Sequence, residues 1–350
     1  MLRLPAVSGR FYPSHPAELT SAVQRFTQSE SSPPKFSVKA CLVPHAGYVY
    51  SGPVAGSVFA RVALPRKVLI VGVRHFPRGE QAAIVSSGAW RTPLGDAPID
   101  EPLAQALRAA CPLLREDDVA HSREHSLEVQ LPFLQVLAPG FTFVPLALGT
   151  VRFEDLLSVG EAVGRVLAES REEILLLTTS DLNHYEDEAA TRAKDRKAIE
   201  QLLVMNARGL YDTCRNEKIS MCGLGPAVAM LTALGRLGAK HAELLRYATS
   251  VSYTHLDVYK RQVLPHGPEA PAIHRGIDAA GVGSFAGIAE SAFRIPVGEI
   301  FFGVQTIDGQ PGERGELFLA FLRLCCGNFC FGHSVITAFS RGGMRLSRRR

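Results

Sequence analysis

The sequence predicts one α/β domain in which a central mixed β-sheet is flanked by helices on both faces. Short apolar runs, rich in β-branched residues, alternate with amphipathic stretches along the first 250 residues. That alternation is typical of strands and helices wound around a single sheet. With 46% hydrophobic and 21% charged residues among 350, the chain has the composition of a globular protein and can bury a sizeable core.

Five strands and five helices follow from the periodicity of the apolar residues. The predicted strands are residues 39–45, 67–73, 82–88, 141–148 and 173–180. The predicted helices are residues 53–63, 101–111, 126–137, 152–170 and 187–204. A further apolar helix is predicted after the turn that holds Cys222.

Ionisable side chains follow three of these strands directly. His45 comes after the first strand, His75 after the second, and Asp181 with His184 after the last. In open α/β sheets, ligands bind outside the carboxyl ends of the strands. We therefore expect these side chains to converge on one edge of the sheet, although each histidine taken alone could be an ordinary structural residue.

Two other segments carry candidate site residues. The stretch "HSREHSLEVQ" begins a predicted helix and places His125 and Glu128 three residues apart, on one helical face. The stretch "ISMCGLGP" places Cys222 in a turn before an apolar helix. Both could join the cluster at the sheet edge.

The residue types fit a metal site. Two neutral imidazoles and one anionic ligand leave coordination positions open for a substrate or water. A thiolate ligand from Cys222 would favour iron, copper or zinc over magnesium or calcium. His125 and His184 could then donate or accept protons, with Glu128 and Asp181 fixing their tautomers.

A metal-free interpretation remains open at this point. Cys222, near the start of an apolar helix, could be a thiolate nucleophile that a histidine and the helix N-terminus activate. The chain would then be a cysteine-dependent hydrolase. No feature of the residue order excludes this chemistry.

Charge and cysteine content indicate the cellular compartment and the classes of partner that are excluded. The net charge of +4 depends on five arginines among the last ten residues, so no basic face predicts nucleic-acid binding. The seven cysteines are odd in number, and the N-terminus lacks the apolar region of a signal peptide. No run is apolar enough to span a bilayer. We expect a cytoplasmic protein with free thiols and no membrane partner.

Several motifs together resemble the Memo family, whose bacterial form is called AmmeMemoRadiSam system protein B. They are "AVSGRFYPSHPAEL", "VPHAGYVYSGPVA", "RTPLGDAPID", "EHSLEVQLPFLQ", "TSDLNHY" and "ISMCGLGP", in the family's order. The resemblance implies the fold of class III extradiol dioxygenases. It also implies a metal triad, which falls here on His45, His75 and Cys222, with His125, His184 and Asp181 lining the same pocket.

The same resemblance implies Fe(II) or Cu as cofactor, with Zn as a further candidate, and a redox or dioxygenase-like reaction on an unknown substrate. It also implies partners: a small-molecule or peptide ligand, an AMMECR1-domain protein and a radical SAM enzyme. A binding module without chemistry is the alternative. The family usually reads "GPSH" before the second ligand, whereas this chain reads "GVRH", so Arg74 changes the local pocket.

The resemblance stops near residue 250. The string "VSYTHLDVYKRQ" at 251–262 replaces the family's continuation and recurs at breakpoints of unrelated translated environmental sequences. We therefore divide the chain into a Memo-like domain, residues 1–250, and an anomalous tail, residues 251–350. The tail is interpreted as chimeric or frameshifted and poorly ordered.

Overall fold

The computed structural model describes residues 1–28 and 35–249, together with three short strands at 304–305, 332–334 and 337–339. The interpretation of residues 251–350 as a chimeric tail lies outside the described residues, apart from those three strands. The division into a domain and a tail stays a prediction.

A six-stranded mixed sheet forms the centre of the molecule. In spatial order its strands are β2 (Ala40–Val43), β9 (Ile174–Thr179), β3 (Lys67–Val73), β8 (Thr142–Leu148), β4 (Ala82–Ile84) and β7 (Arg115–Glu116). The first four run parallel to one another, β4 runs antiparallel to β8, and β7 runs parallel to β4. All five predicted strands belong to this sheet.

Three smaller sheets accompany it in the described part of the chain. One contains β1 (Leu2–Arg3), β5 (Ala89–Thr92) and β6 (Gly95–Pro98). The second pairs β10 (His241–Leu244) with β12 (Val304–Gln305) and β14 (Thr337–Phe339). The third pairs β11 (Tyr247–Ala248) with β13 (Gly332–Ser334).

Helices cover both faces of the central sheet. They are α1 (Pro16–Thr27), α2 (Tyr48–Phe59), α3 (Glu101–Ala110), α4 (Leu131–Leu137), α5 (Phe153–Glu169), α6 (Glu188–Leu203), α7 (Ala207–Asn216) and α8 (Leu224–Arg236). Alternate strand residues belong to two cores: Leu42 and Leu69 pack with α5 and α8, whereas Cys41 and Ile70 pack with α1 and α2. Because both faces are buried, the strands read as continuous apolar runs. The predicted fold class is confirmed.

Two helix starts differ from the sequence prediction. Helix α2 begins at Tyr48 and contains Pro53, whereas the sequence predicted a start at residue 53. The earlier start follows from two tertiary contacts of Tyr48. Its backbone N–H donates to the Phe11 carbonyl, and its hydroxyl donates to the Val129 carbonyl. The helix predicted from residue 126 begins later, as a 3-10 turn at Glu128–Gln130 followed by α4.

In the part of the chain that the structure describes, the helices fall short of the length and apolar character needed to span a bilayer.

Candidate metal centre

The carboxyl ends of three neighbouring parallel strands bring the candidate residues together. Strands β2, β9 and β3 are adjacent, and Val43 at the end of β2 pairs with Thr179 at the end of β9. His45, Asp181 and His75 follow these ends within two residues. His45 is buried, at 1% exposure, and its backbone N–H donates to Asp181 Oδ1 at 2.9 Å.

Cys222 enters this cluster from the turn before α8. Its Sγ lies 3.2 Å from His45 Nε2 and accepts a hydrogen bond of 3.2 Å from the Asp181 N–H. The turn approaches β9 closely at Gly223, where a Cβ would overlap Ser180 and the Thr179 carbonyl oxygen. Only glycine permits this approach, so residue 223 sets the distance between the sulfur and the strand ends.

The donor atoms of His45, His75 and Cys222 all lie within 4.8 Å of one another. An ion bound at about 2.0–2.1 Å from imidazole nitrogen and about 2.3 Å from sulfur holds its ligands roughly 3–4 Å apart. The donor set therefore fits a single metal ion after small side-chain adjustments. The assignment of these three residues as ligands stays a prediction.

Hydrogen bonds to the Nδ1 atoms of His45 and His75 orient the Nε2 atoms of both rings toward the site. The Nδ1 of His45 is 2.7 Å from the Thr179 hydroxyl, so Nε2 is the ring atom that faces Cys222. The Nδ1 of His75 is 2.9 Å from Glu124 Oε1. Because an ionised carboxylate only accepts, His75 carries its proton on Nδ1 and leaves the Nε2 lone pair free.

Glu124, like Thr179 and Ser220, is a residue of the site that sequence reasoning missed. Its side chain is fully buried and accepts hydrogen bonds from the His75 N–H and from the N–H groups of His125 and Ser126, besides the His75 ring. Burial alone would raise its pKa, but the hydrogen bond and charge interaction with His75, with help from His125 and Ser126, lower the pKa to about 2. Glu124 therefore holds His75 as an ionised acceptor.

His125 lies beside the proposed ligands. Its ring stacks on His75, with centroids 4.6 Å apart and 25° between planes, and contacts Phe11 at 4.7 Å. Its centroid is 5.5 Å from that of His45. Burial lowers the pKa of His125 to about 4, so the ring is neutral at pH 7. Burial, together with the three neighbouring imidazoles, also lowers the pKa of His45 well below its ordinary value.

His184 lies beside Cys222 and Asp181. Donor atoms of Asp181, His184 and Cys222 lie within 4.8 Å of one another. The His184 Nδ1 is 2.8 Å from the Ser220 carbonyl oxygen, which only accepts, so Nε2 carries the lone pair. Burial lowers the pKa of this imidazole as well. The structure thus corrects one expectation: Ser220, and not Asp181, fixes the tautomer of His184.

Asp181 contacts His45 instead. One carboxylate oxygen accepts from the His45 backbone N–H, and the other lies 3.7 Å from His45 Nε2. The carboxylate is therefore within reach of the proposed metal position.

Glu128 was expected to orient His125, and this expectation is wrong. The 3-10 turn begins at Glu128, and His125 lies before it. The two residues therefore do not share a helical face. The Glu128 carboxylate accepts from Arg3 Nη1 at 2.7 Å, from the Tyr12 hydroxyl at 2.7 Å, and from the N–H groups of Ala6 and Val7. It fastens the N-terminal segment to the domain.

Comparisons with known proteins agree with the motifs. The family model described as Memo-like protein matches residues 3–260. A MEMO1 family protein of Methanopyrus kandleri is 39% identical, with 71% of this chain and 93% of the relative covered. One of Methanocaldococcus jannaschii is 38% identical, with 72% and 94% covered.

A crystal structure of an uncharacterized Escherichia coli K12 protein superposes with a TM-score of 0.43 at 14% identity, covering 60% of this chain and 93% of that one. This similarity is too low to add to the assignment. The family-model match and the identity to relatives over more than nine-tenths of their length are sufficient: the chain belongs to the Memo-like protein family.

Proposed function

We propose that this protein binds one redox-active metal ion, Fe(II) or Cu, through His45, His75 and Cys222, and carries out a redox or dioxygenase-like reaction on a small substrate. Zn is the third candidate ion. The observation that carries the proposal is the meeting of three donor atoms within 4.8 Å at the ends of β2, β3 and the turn before α8. Imidazole and thiolate together favour these three metals.

The bound ion would supply Lewis-acid or electron-transfer chemistry at its open coordination positions. The surrounding residues supply proton transfer. His125 stacks on His75, and His184 lies beside Cys222. Both imidazoles are neutral and can each accept a proton from a bound group or return it. Glu124 fixes the ring proton of His75 at Nδ1, and the Ser220 carbonyl fixes that of His184 at Nδ1. Each ring therefore keeps one tautomer, with its lone pair on Nε2.

A cysteine-dependent hydrolase is the second candidate, favoured by the distance of 3.2 Å between Cys222 Sγ and His45 Nε2. Cys222 also lies two residues before the first residue of α8, where a helix stabilises an anion. The electrostatics disfavour this chemistry, because burial lowers the pKa of His45 and so disfavours a thiolate–imidazolium pair. A neutral, histidine-rich cluster is better suited to a cation.

A third possibility is a module that uses the same pocket for binding alone. A peptide, an AMMECR1-domain protein and a radical SAM enzyme are the partners to test, and all three rest on the family resemblance. Binding of such a partner without turnover by the metal-loaded protein would favour this reading.

Metal analysis of the purified full-length chain tests the proposal. We expect about one Fe or Cu per chain, retained on dialysis and lost in His45→Ala. The matched control is His241→Ala, because His241 is an exposed histidine on β10. A wild-type protein that takes up none of Fe(II), Cu or Zn, and whose Cys222 alkylates rapidly at neutral pH, would contradict the metal assignment and support the hydrolase.

A further inference from the structure

A cavity of about 250 Å³ adjoins the donor cluster at Cys222. It lies between the carboxyl ends of β3 and β8 and the first turn of α8, and Cys222 forms part of its wall. Arg74 and Arg215 also line it, and none of the described residues in its wall is acidic. The cavity therefore combines two positive charges with a wall that contains Cys222, a ligand of the proposed metal site.

Not every guanidinium donor of Arg74 has a hydrogen-bond partner in the described structure. Its Nη1 donates to the Gly79 carbonyl at 2.9 Å, but its Nε is buried and has no partner among the described residues. The Nε packs against Gly149, where a Cβ would overlap it, and is closed off from the cavity. The Nη2 has no hydrogen-bond partner among the described residues. Nη2 is therefore the donor of Arg74 that can bind an acceptor in the cavity.

The charge of the wall is not compensated from nearby. Arg215 on α7 lies over the Tyr211 ring at 5.8 Å and forms no ion pair with any described residue. One acidic side chain near the wall, Asp155, is already engaged by the Thr150 hydroxyl at 3.0 Å and by Arg152 at 3.8 Å. Two guanidinium groups therefore face one cavity without a carboxylate partner in the described part of the chain.

Helix α8 adds to the same field. It has 13 residues, and its first-turn residues Leu224 and Gly225 line the cavity. The Leu224 N–H already donates to the Met221 carbonyl at 3.3 Å and Pro226 has no N–H, so this first turn offers the Gly225 N–H together with the positive end of the helix dipole. Guanidinium forks and helix N-termini both recognise carboxylate and phosphate oxygens.

We propose that this cavity binds the carboxylate or phosphate group of an anionic small-molecule substrate. Arg74 and Arg215 hold the oxyanion, and the remainder of the molecule extends past Cys222 to the donor cluster. The role of the reacting end rests on the proposed function, but anion binding itself does not require the metal. Arg74 replaces the serine of the family's usual "GPSH", so this specificity belongs to the present chain.

Titration calorimetry of the full-length, metal-stripped chain with inorganic phosphate, and separately with acetate, tests the proposal. Low ionic strength is needed because salt screens exposed charges. We expect saturable binding of at least one of the two anions, and the tighter one identifies the group. Arg74→Gln should weaken binding by about tenfold or more, the loss expected for one charge-assisted hydrogen bond. Arg215→Gln should weaken it less, because Arg215 is exposed.

Arg208→Gln is the matched control. Arg208 lies on the same helix as Arg215, but it is paired with Asp212 at 2.8 Å and does not line the cavity. Equal affinity in wild type and Arg74→Gln, or no saturable binding of either anion, would overturn the proposal. Because the titration uses metal-free protein, loss of anion binding is distinguishable from failure to bind metal, which the metal analysis measures separately.

Discussion

Two fully buried carboxylates, Glu124 and Glu128, lie four residues apart and serve different parts of the molecule. The Glu124 carboxylate accepts from the ring and the backbone N–H of His75 and from the backbone N–H of Ser126. Its partners therefore belong to the candidate metal centre. Glu128 binds Arg3, Ala6, Val7 and Tyr12, all in the N-terminal segment.

The comparison teaches that burial and residue type do not reveal the role of a carboxylate in this fold. Each of the two satisfies several donors, and each would be costly to remove. Only the identity of the partners separates the residue that orients a proposed ligand from the residue that holds the chain together.

The largest expected effect is on stability, in Glu128→Ala. The substitution leaves Arg3 as a buried charge without its carboxylate, together with two backbone donors and the Tyr12 hydroxyl. We expect the free energy of unfolding to fall by about 3–5 kcal/mol, measured by urea denaturation. Glu128→Gln keeps an acceptor oxygen and should lose less. The contrast between the two carboxylates would be broken if the folded Glu128→Gln protein lost metal affinity.

A third buried carboxylate, Asp195, sharpens the comparison because it lacks an ion-pair partner among the described residues. Among the described residues its donors are the Asn183 N–H and the Tyr247 hydroxyl, each at 3.2 Å, and burial raises its pKa to about 8. Between the unfolded-state pKa near 4 and about 8, the folded chain holds a proton that the unfolded chain has lost. Stability therefore falls as the pH rises through this window.

Asp195→Asn should remove this pH dependence, because an amide keeps both contacts and does not ionise. We expect the variant to gain stability relative to wild type by a few kcal/mol as the pH rises from 5 to 8, in urea unfolding at each pH. An unchanged difference across this range would show that Asp195 is ionised in the folded protein.

The next effect falls on the metal. Glu124→Gln replaces an ionised acceptor with a group that cannot accept from all four of its present donors. Loss of such a partner behind a histidine ligand typically weakens metal affinity 10–100-fold, measurable by competition with a chelator. Glu128→Gln is the matched control and should bind metal as wild type does. Equal affinities in the two variants would remove the distinction between the carboxylates.

The smallest effect is expected at Thr179, whose hydroxyl contacts Nδ1 of His45 at 2.7 Å. Thr179→Val keeps the shape and removes that contact, so metal affinity should fall about 2- to 12-fold, the value of one neutral hydrogen bond. Thr178→Val is the control, because the buried Thr178 hydroxyl has no partner in the described structure. Equal metal affinity in the two variants would show that His45 needs no support from Thr179.

Much of the fold was predictable from the sequence because the elements of the central sheet are long and apolar. The missed elements are mostly strands of two to four residues, such as β1 and β7, which are too short to show a period. Helices α1 and α7 were also missed, because α1 buries only Leu19, Ala22 and Val23 and α7 only Leu210 and Cys214, so few apolar positions mark either helix.

The sequence by itself determined which residues follow the strands, and the ends of parallel strands share one edge of a sheet, so the approach of His45, His75 and Asp181 was predictable. Only the tertiary structure decided which acceptor meets which histidine. Those pairings depend on where the turn between residues 121 and 128 becomes helical, and a shift of a few residues turns a side chain to another face. This is why Glu124 meets His75 while Glu128 meets Arg3, a distinction that residue spacing does not carry.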